Sequence, residues 1–134
     1  MNLTHNPLML LITACLAVMP VAIVFADQQD NTAIEKGKQS YLSYNCALCH
    51  GDKGKGDGEN AEAYDPYPTN FHDPKGYHHG YKGEDIIHSI KYGIKDNPNS
   101  IMPSFNQLTD QELKEISAYL LSLQEKYRIN GREP

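Results

Sequence analysis

Two cysteines and a histidine stand together near the middle of the chain, as Cys46, Cys49 and the adjacent His50. This is the spacing of the C-x-x-C-H motif, in which two thioethers tether a porphyrin and the next residue offers its imidazole to the iron. A thioredoxin-like pair needs a preceding strand, which the sequence does not indicate. A zinc knuckle needs further cysteines or suitably spaced histidines, for which His78-His79 is a poor fit. We therefore predict one covalently attached haem c with His50 as proximal ligand.

A second iron ligand is predicted at Met102, which lies in a loop fixed by Pro103. The other three methionines all precede Ala26. If the folded domain begins at residue 27, Met102 is the methionine available to it. Methionine paired with histidine favours ferrous iron and raises the reduction potential. The alternative is a second histidine. The candidates are His72, His78, His79 and His88.

Two helices are predicted before this loop. The first covers residues 32–45, with Thr32 and Glu35 as a capping box at its start. The second covers residues 84–92 and ends at Gly93, a residue type preferred at helix C-termini. Three isoleucines of the second helix recur at spacings that place them on its inner face. They are Ile86, Ile87 and Ile90.

The third predicted helix follows Thr109, which serves as its N-cap with Glu112 as reciprocal partner and Leu108 as hydrophobic staple. Its apolar residues repeat at helical spacing, as Leu113, Ile116, Leu120 and Leu123. Residues 128–134 are predicted to be a frayed, disordered tail.

Long loops connect these helices. Residues 51–58 are rich in glycine and match neither a phosphate-binding loop nor an EF-hand, so we expect them to let the chain leave the cysteine motif closely. Residues 64–81 contain Pro66, Pro68 and Pro74 and are expected to be irregular, as are residues 94–105. No stretch alternates clearly enough to predict a strand. The fold class is therefore all-α, with three main helices and long loops.

The first 26 residues differ from the rest, because no Asp, Glu, Lys or Arg precedes Asp27. We predict a cleaved export signal over residues 1–26, with small residues Val24 and Ala26 before the cut, although its start lacks a basic residue. Two alternatives remain, an uncleaved membrane anchor and a lipoprotein acylated at Cys15. Each places residues 27–134 in the periplasm or on the outer face of the cytoplasmic membrane.

The composition limits the partners and the core. With 12 basic and 17 acidic residues the chain is mildly acidic, which argues against nucleic acid as a partner. The chain has no tryptophan and three phenylalanines, of which Phe25 lies in the export segment. Such a thin apolar inventory suggests that a buried cofactor completes the core of this single small domain.

With these features in view, residues 32–125 resemble a class I mono-haem cytochrome c of the bacterial type. The matching stretches are residues 35–37 with Tyr41, 46–51, 90–93, 102–105 and 116–123. The resemblance implies that the first and last helices cross near Gly37 and Tyr119. It also implies that a proline carbonyl, from Pro66 or Pro68, accepts a hydrogen bond from the proximal histidine.

The resemblance further implies single-electron transfer and no enzymatic activity. Both axial positions of the haem iron would be filled, by His50 and Met102, and electrons would pass to redox protein partners. The chain would be a free carrier, or an electron-entry subunit of a respiratory or dehydrogenase complex with a membrane tether. The alternative is a peroxidase-like haem enzyme or gas sensor with an open or labile sixth site.

Overall fold

The computed structural model describes the backbone of residues 19–97 and 100–129, and the side chains of residues 31–96 and 101–124. The chain falls into two compact units, residues 1–32 and 33–134, and all the site residues belong to the second. Residues 1–18, which include Cys15 and most of the predicted export segment, lie outside the described part. Within the described residues no helix is long and apolar enough to cross a membrane.

Helix α1 spans Met19–Ser43. It begins earlier than the predicted start at Thr32, because no proline or glycine interrupts residues 21–36. It ends two residues before the predicted end in a Schellman motif. The N–H groups of Asn45 and Cys46 donate to the carbonyls of Leu42 and Tyr41, each at 3.1 Å. Asn45 takes the left-handed conformation that this motif requires, with φ of 59°.

After helix α1 comes the short helix α2, Ala47–His50. Two 3₁₀ turns follow, Ala61–Ala63 and Pro74–Gly76. The second lies in the proline-rich stretch 64–81, which is otherwise irregular, as predicted. Helix α3 spans Gly83–Tyr92 and ends at Gly93, confirming the predicted element to within one residue.

A small antiparallel hairpin follows, in the stretch that was predicted to be a loop. Strand β1 is Ile94–Asn97 and strand β2 is Ser100–Met102, with Ile94 paired to Met102. The prediction of no strand was wrong because period-two alternation cannot be recognised in strands of four and three residues.

Helix α4 spans Asp110–Ile129 and confirms its predicted start. The Thr109 N–H and hydroxyl both donate to Glu112 Oε2, and the Glu112 N–H donates back to Thr109 Oγ1 at 3.2 Å. The Tyr44 hydroxyl also donates to Glu112, at 2.9 Å, which links the end of α1 to the start of α4. Because α4 reaches Ile129, the first two residues of the predicted tail are helical. Residues 130–134 lie outside the described part.

The core forms where α1, α3 and α4 meet. At Gly37 the backbone of α1 touches that of α4, since a Cβ there would overlap the carbonyl of Glu115. One turn further on, Tyr41 packs edge-on against Tyr119, with ring centroids 5.4 Å apart. This confirms the crossing implied near Gly37 and Tyr119. The apolar face of α4 fills the space beneath, through Leu113, Ile116, Leu120 and Leu123.

Candidate haem site

The C-x-x-C-H motif is positioned by the end of α1. The Schellman motif there turns the chain at Asn45, so Cys46 becomes the N-cap of α2. The single turn of α2 then places Cys49 and His50 near Cys46. The His50 N–H donates to the Cys46 carbonyl at 2.9 Å. The two cysteines are not disulfide-bonded. All three motif residues line one cavity.

The ring of His50 is held from two sides. Its Nδ1 donates a hydrogen bond to the carbonyl of Thr69 at 3.1 Å, which leaves Nε2 without the proton and able to bind a metal. The ring of Phe71 stacks on it, with centroids 4.5 Å apart and planes 27° from parallel. Both the tautomer and the orientation of the imidazole are therefore fixed by this chain.

The acceptor for His50 corrects the expectation drawn from the resemblance. It is neither Pro66 nor Pro68 but Thr69, the residue after Pro68. The carbonyl of Pro68 lies instead against Gly56, where a Cβ would overlap it. Gly56 has φ of +77°, a conformation that favours glycine, so its missing side chain and its backbone shape together let the two segments approach.

The glycine-rich loop closes beneath the motif, as the sequence predicted. The N–H of Gly56 donates to the His50 carbonyl at 2.9 Å, and that of Gly58 to the Cys49 carbonyl at 3.1 Å. The buried hydroxyl of Tyr41 donates to the Gly51 carbonyl at 2.6 Å. The carbonyls at the end of α2, which a helix leaves without partners, are thereby satisfied.

Burial sets the protonation states of His50 and Cys46. It lowers the pKa of His50, against an opposing effect of the hydrogen bond to Thr69, and so favours the neutral imidazole that a metal requires. Burial also raises the pKa of Cys46 to about 11, with a smaller effect from Cys49, so Cys46 is a thiol at neutral pH. Desolvation likewise raises the pKa of Tyr41, which keeps its hydroxyl a donor.

Met102 reaches the same cavity from the other end of the chain. It is the last residue of β2, and its pairing with Ile94 places it directly beside the end of α3. At that point Gly93 has φ of +74°, and a Cβ on it would press against the Met102 carbonyl and Pro103. The N–H of Phe105 donates to the Ile90 carbonyl at 3.0 Å, which anchors the segment after Met102 to α3.

The cavity has a volume of about 530 Å³ and is mainly lined by apolar and aromatic side chains. That volume is typical of sites for small organic cofactors, which run from about 300 to 1,000 Å³. Three of the large hydrophobic side chains that line the cavity remain substantially exposed. They are Leu48 at 41 %, Ile101 at 49 % and Tyr67 at 65 %.

The rival histidines lie in different places. His72 Nε2 is 2.8 Å from the Lys53 carbonyl, and His78 Nε2 is 2.7 Å from Asp96 Oδ2. Among the described histidines, His50 and His78 line the cavity, whereas His72, His79 and His88 do not. Of the four alternatives to Met102, the structure brings His78 alone to the predicted haem site.

Sequence reasoning missed the roles of Thr69 and Phe71. A backbone carbonyl leaves no trace in the residue type, so Thr69 carried no signal. Phe71 carried only a weak signal, as one of the two phenylalanines that follow residue 26. Its N–H donates to the Gly54 carbonyl at 2.8 Å, which fixes it beside the motif.

The comparisons with known proteins agree with this site. The cytochrome c family model matches residues 34–124, so the chain belongs to the cytochrome c family. A chain of the reducing HAO-like protein complex of Kuenenia stuttgartiensis is similar, at 35% sequence identity and a TM-score of 0.57. The match covers 75% of this chain and 46% of that one, so the present chain spans about half the length of its structural relative. No curated protein matches significantly.

Membership of this family implies a covalently bound haem c, and the residues present fit that group. Two unpaired thiols stand at the C-x-x-C-H spacing, and the adjacent imidazole is neutral with Nε2 left unprotonated. The cavity beside them is apolar, as a porphyrin requires. The all-α cytochrome c fold predicted from the sequence is confirmed, and the family supports electron transfer through haem c.

Proposed function

We propose that this chain transfers single electrons through one haem c, attached at Cys46 and Cys49 and ligated by His50 and Met102. The observation that carries the proposal is that one cavity is lined by all four of these residues. Haem supplies reversible one-electron chemistry at its iron. The chain supplies an oriented imidazole, an apolar enclosure and a thioether, and with both axial positions filled no substrate binds the metal.

Met102 is favoured over His78 as the sixth ligand by what each side chain already contacts. His78 Nε2 is engaged by Asp96 at 2.7 Å, and a switch to the iron would break that interaction. Within the described part of the chain the thioether of Met102 makes no hydrogen bond, as suits sulfur, which is a weak acceptor. Met102 also packs against the buried core, so its position beside the cavity is supported by apolar contacts.

The exposed side chains around the cavity offer a route for electrons to leave. Leu48, Tyr67 and Ile101 form an apolar rim that is open to solvent. Transient redox complexes bury small interfaces, generally below about 1,200 Å², and such a rim suits one. We infer docking of a redox protein here. The relative from a protein complex supports a subunit role, with a free carrier as the other arrangement.

We also propose that the protein lies outside the cytoplasm, either in the periplasm or attached to the outer face of the cytoplasmic membrane. Two features of the sequence support this location. Residues 1–26 have the composition of an export segment, and the C-x-x-C-H motif goes with export. Detection of the mature protein in a periplasmic or membrane fraction, with the N-terminus sequenced, tests this and decides between cleavage, anchor and lipoprotein.

Matched variants test the sixth ligand. Met102→Ala should keep the haem attached but lose the far-red absorption band of methionine-ligated ferric haem, lower the reduction potential and open a ligand site. His78→Ala is the control, since it removes the other candidate on the cavity wall, and it should keep the band. A Met102→Ala protein with unchanged potential, together with a His78→Ala protein whose spectrum and potential change, would assign the ligand to His78 instead.

A further inference from the structure

A cluster of metal-binding side chains lies on the surface beside the haem cavity. Its members are His78 and His79, in the loop before α3, and Asp96, in strand β1. One ligand atom of each lies within 4.8 Å of the others. The proposed electron-transfer function makes no use of His79 or Asp96.

An ion pair between His78 and Asp96 does not account for this arrangement. Their side chains are 45 % and 67 % exposed, so solvent screens the pair and it contributes little to stability. The ring of His79 is not part of that pair. It stands edge-on to His78 at 4.7 Å and to His88, on helix α3, at 5.3 Å between centroids. Three imidazoles thus follow one another in contact, and the first of them, His78, also contacts Asp96.

We propose that His78, His79 and Asp96 form a binding site for a borderline divalent transition-metal ion of the Zn²⁺ class. Two imidazole nitrogens and one carboxylate oxygen are a usual zinc ligand set, with water completing four-coordination. Hard cations such as Mg²⁺ prefer oxygen ligands and are disfavoured by the two nitrogens. The site is additional to the haem.

The distances between the three ligand side chains are close to those that a bound zinc ion requires. Ligands about 2.0 Å from a tetrahedral zinc ion lie about 3.3 Å apart. The His78–Asp96 separation of 2.7 Å must therefore widen by roughly 0.6 Å, and the ligand atom of His79 already lies within 4.8 Å of the other two. Exposed side chains make such adjustments by rotation, and His88 packs behind His79 as a support for its ring.

Bound metal would join two segments that shape the haem cavity. His78 lines that cavity, and Asp96 belongs to the hairpin whose second strand ends at Met102. The metal would link the loop before α3 to this hairpin, because His78 and Asp96 are 18 positions apart in sequence. It would also keep His78 coordinated at the surface. Because the site uses His78, this inference rests on the proposal that Met102, and not His78, ligates the haem iron.

The test is calorimetric titration of the tag-free, haem-loaded protein with Zn²⁺, and with Mg²⁺ as the control ion. We expect one equivalent of Zn²⁺ to bind and Mg²⁺ to give no heat. His79→Ala and Asp96→Asn should each weaken binding by at least about tenfold, since each removes a ligand. His72→Ala and Asp110→Asn remove an imidazole and a carboxylate outside the cluster, and each should leave the affinity within about twofold.

Haem content and helical circular dichroism of every variant should match the parent protein, which separates loss of the metal site from loss of the fold or of haem. Absence of Zn²⁺ binding in the parent protein would overturn the proposal. So would a loss of affinity in His72→Ala as large as that in His79→Ala, because binding would then be spread over surface histidines. Neither result bears on the electron-transfer function.

Discussion

The two regions of the cavity that carry the proposed iron ligands, His50 and Met102, differ in how they are held in place. The His50 side is fixed by short-range structure, with a Schellman motif before it, a glycine loop beneath it, and hydrogen bonds from Gly56 and Tyr41 to the motif and its exit. The Met102 side depends on a hairpin with two short strands and one anchoring hydrogen bond from Phe105. The difference implies that the position of His50 is specified more rigidly than that of Met102, so substitutions nearby should disturb Met102 more easily than His50.

The largest effect is expected from the motif itself. Cys49→Ala or His50→Ala should abolish stable holoprotein, because the first removes a tether and the second the proximal ligand. The measurement is haem stain on a denaturing gel together with the absorption spectrum. His78→Ala is the matched control for His50→Ala and should accumulate normal holoprotein. Normal haem-bearing protein from either motif variant would contradict the assignment.

Truncation of the two phenylalanines compares the packing on the two sides. Phe71 is buried and stacks on His50, so Phe71→Ala should lower the free energy of unfolding by about 3–5 kcal/mol. Phe105, beside Met102, is only half-buried, so Phe105→Ala should cost less. Denaturant unfolding of both holoproteins checks this. Equal losses would show that the two sides are packed alike.

Gly93→Ala is designed to disturb the distal side alone. Its φ of +74° and the close Met102 carbonyl leave no room for a methyl group, so the hairpin must shift. We expect haem to remain attached while the far-red methionine band weakens and carbon monoxide binds more readily. Gly76→Ala is the control, because a Cβ there has nearest neighbours at 3.8 and 4.0 Å. A Gly93→Ala protein with an unaltered band would show that the distal side is as rigid as the proximal one.

The smallest effect concerns the start of α4. Hydrogen bonds from Thr109, and a further one from Tyr44, hold the pKa of Glu112 below its ordinary value. A depressed carboxyl pKa adds stability above the unfolded-state value, and this is lost as the pH falls through the folded-state value. Glu112→Gln should therefore melt a little lower than the parent at pH 7, and the gap should shrink in acid. A gap that is constant with pH would argue against an ionised Glu112 in the cap.

The sequence was most informative where local chemistry is decisive. The Thr109–Glu112 cap and the Gly93 stop were predicted correctly because residue type and spacing determine them, and the C-x-x-C-H motif indicated the right family. The hairpin was missed because its strands are too short for a periodic signal. Thr69 was missed because its contribution is a backbone carbonyl. The grouping of Asp96 with two histidines depends on tertiary contacts that no local pattern records.

The central claim is a six-coordinate haem with His50 and Met102 as its axial ligands. Its most direct test is the absorption spectrum of the reduced, purified protein with and without carbon monoxide. We expect a low-spin spectrum that the gas does not change, and a far-red methionine band in the ferric protein. A prompt spectral shift on adding the gas would contradict the account, because it would show an open or labile site suited to a peroxidase or a gas sensor.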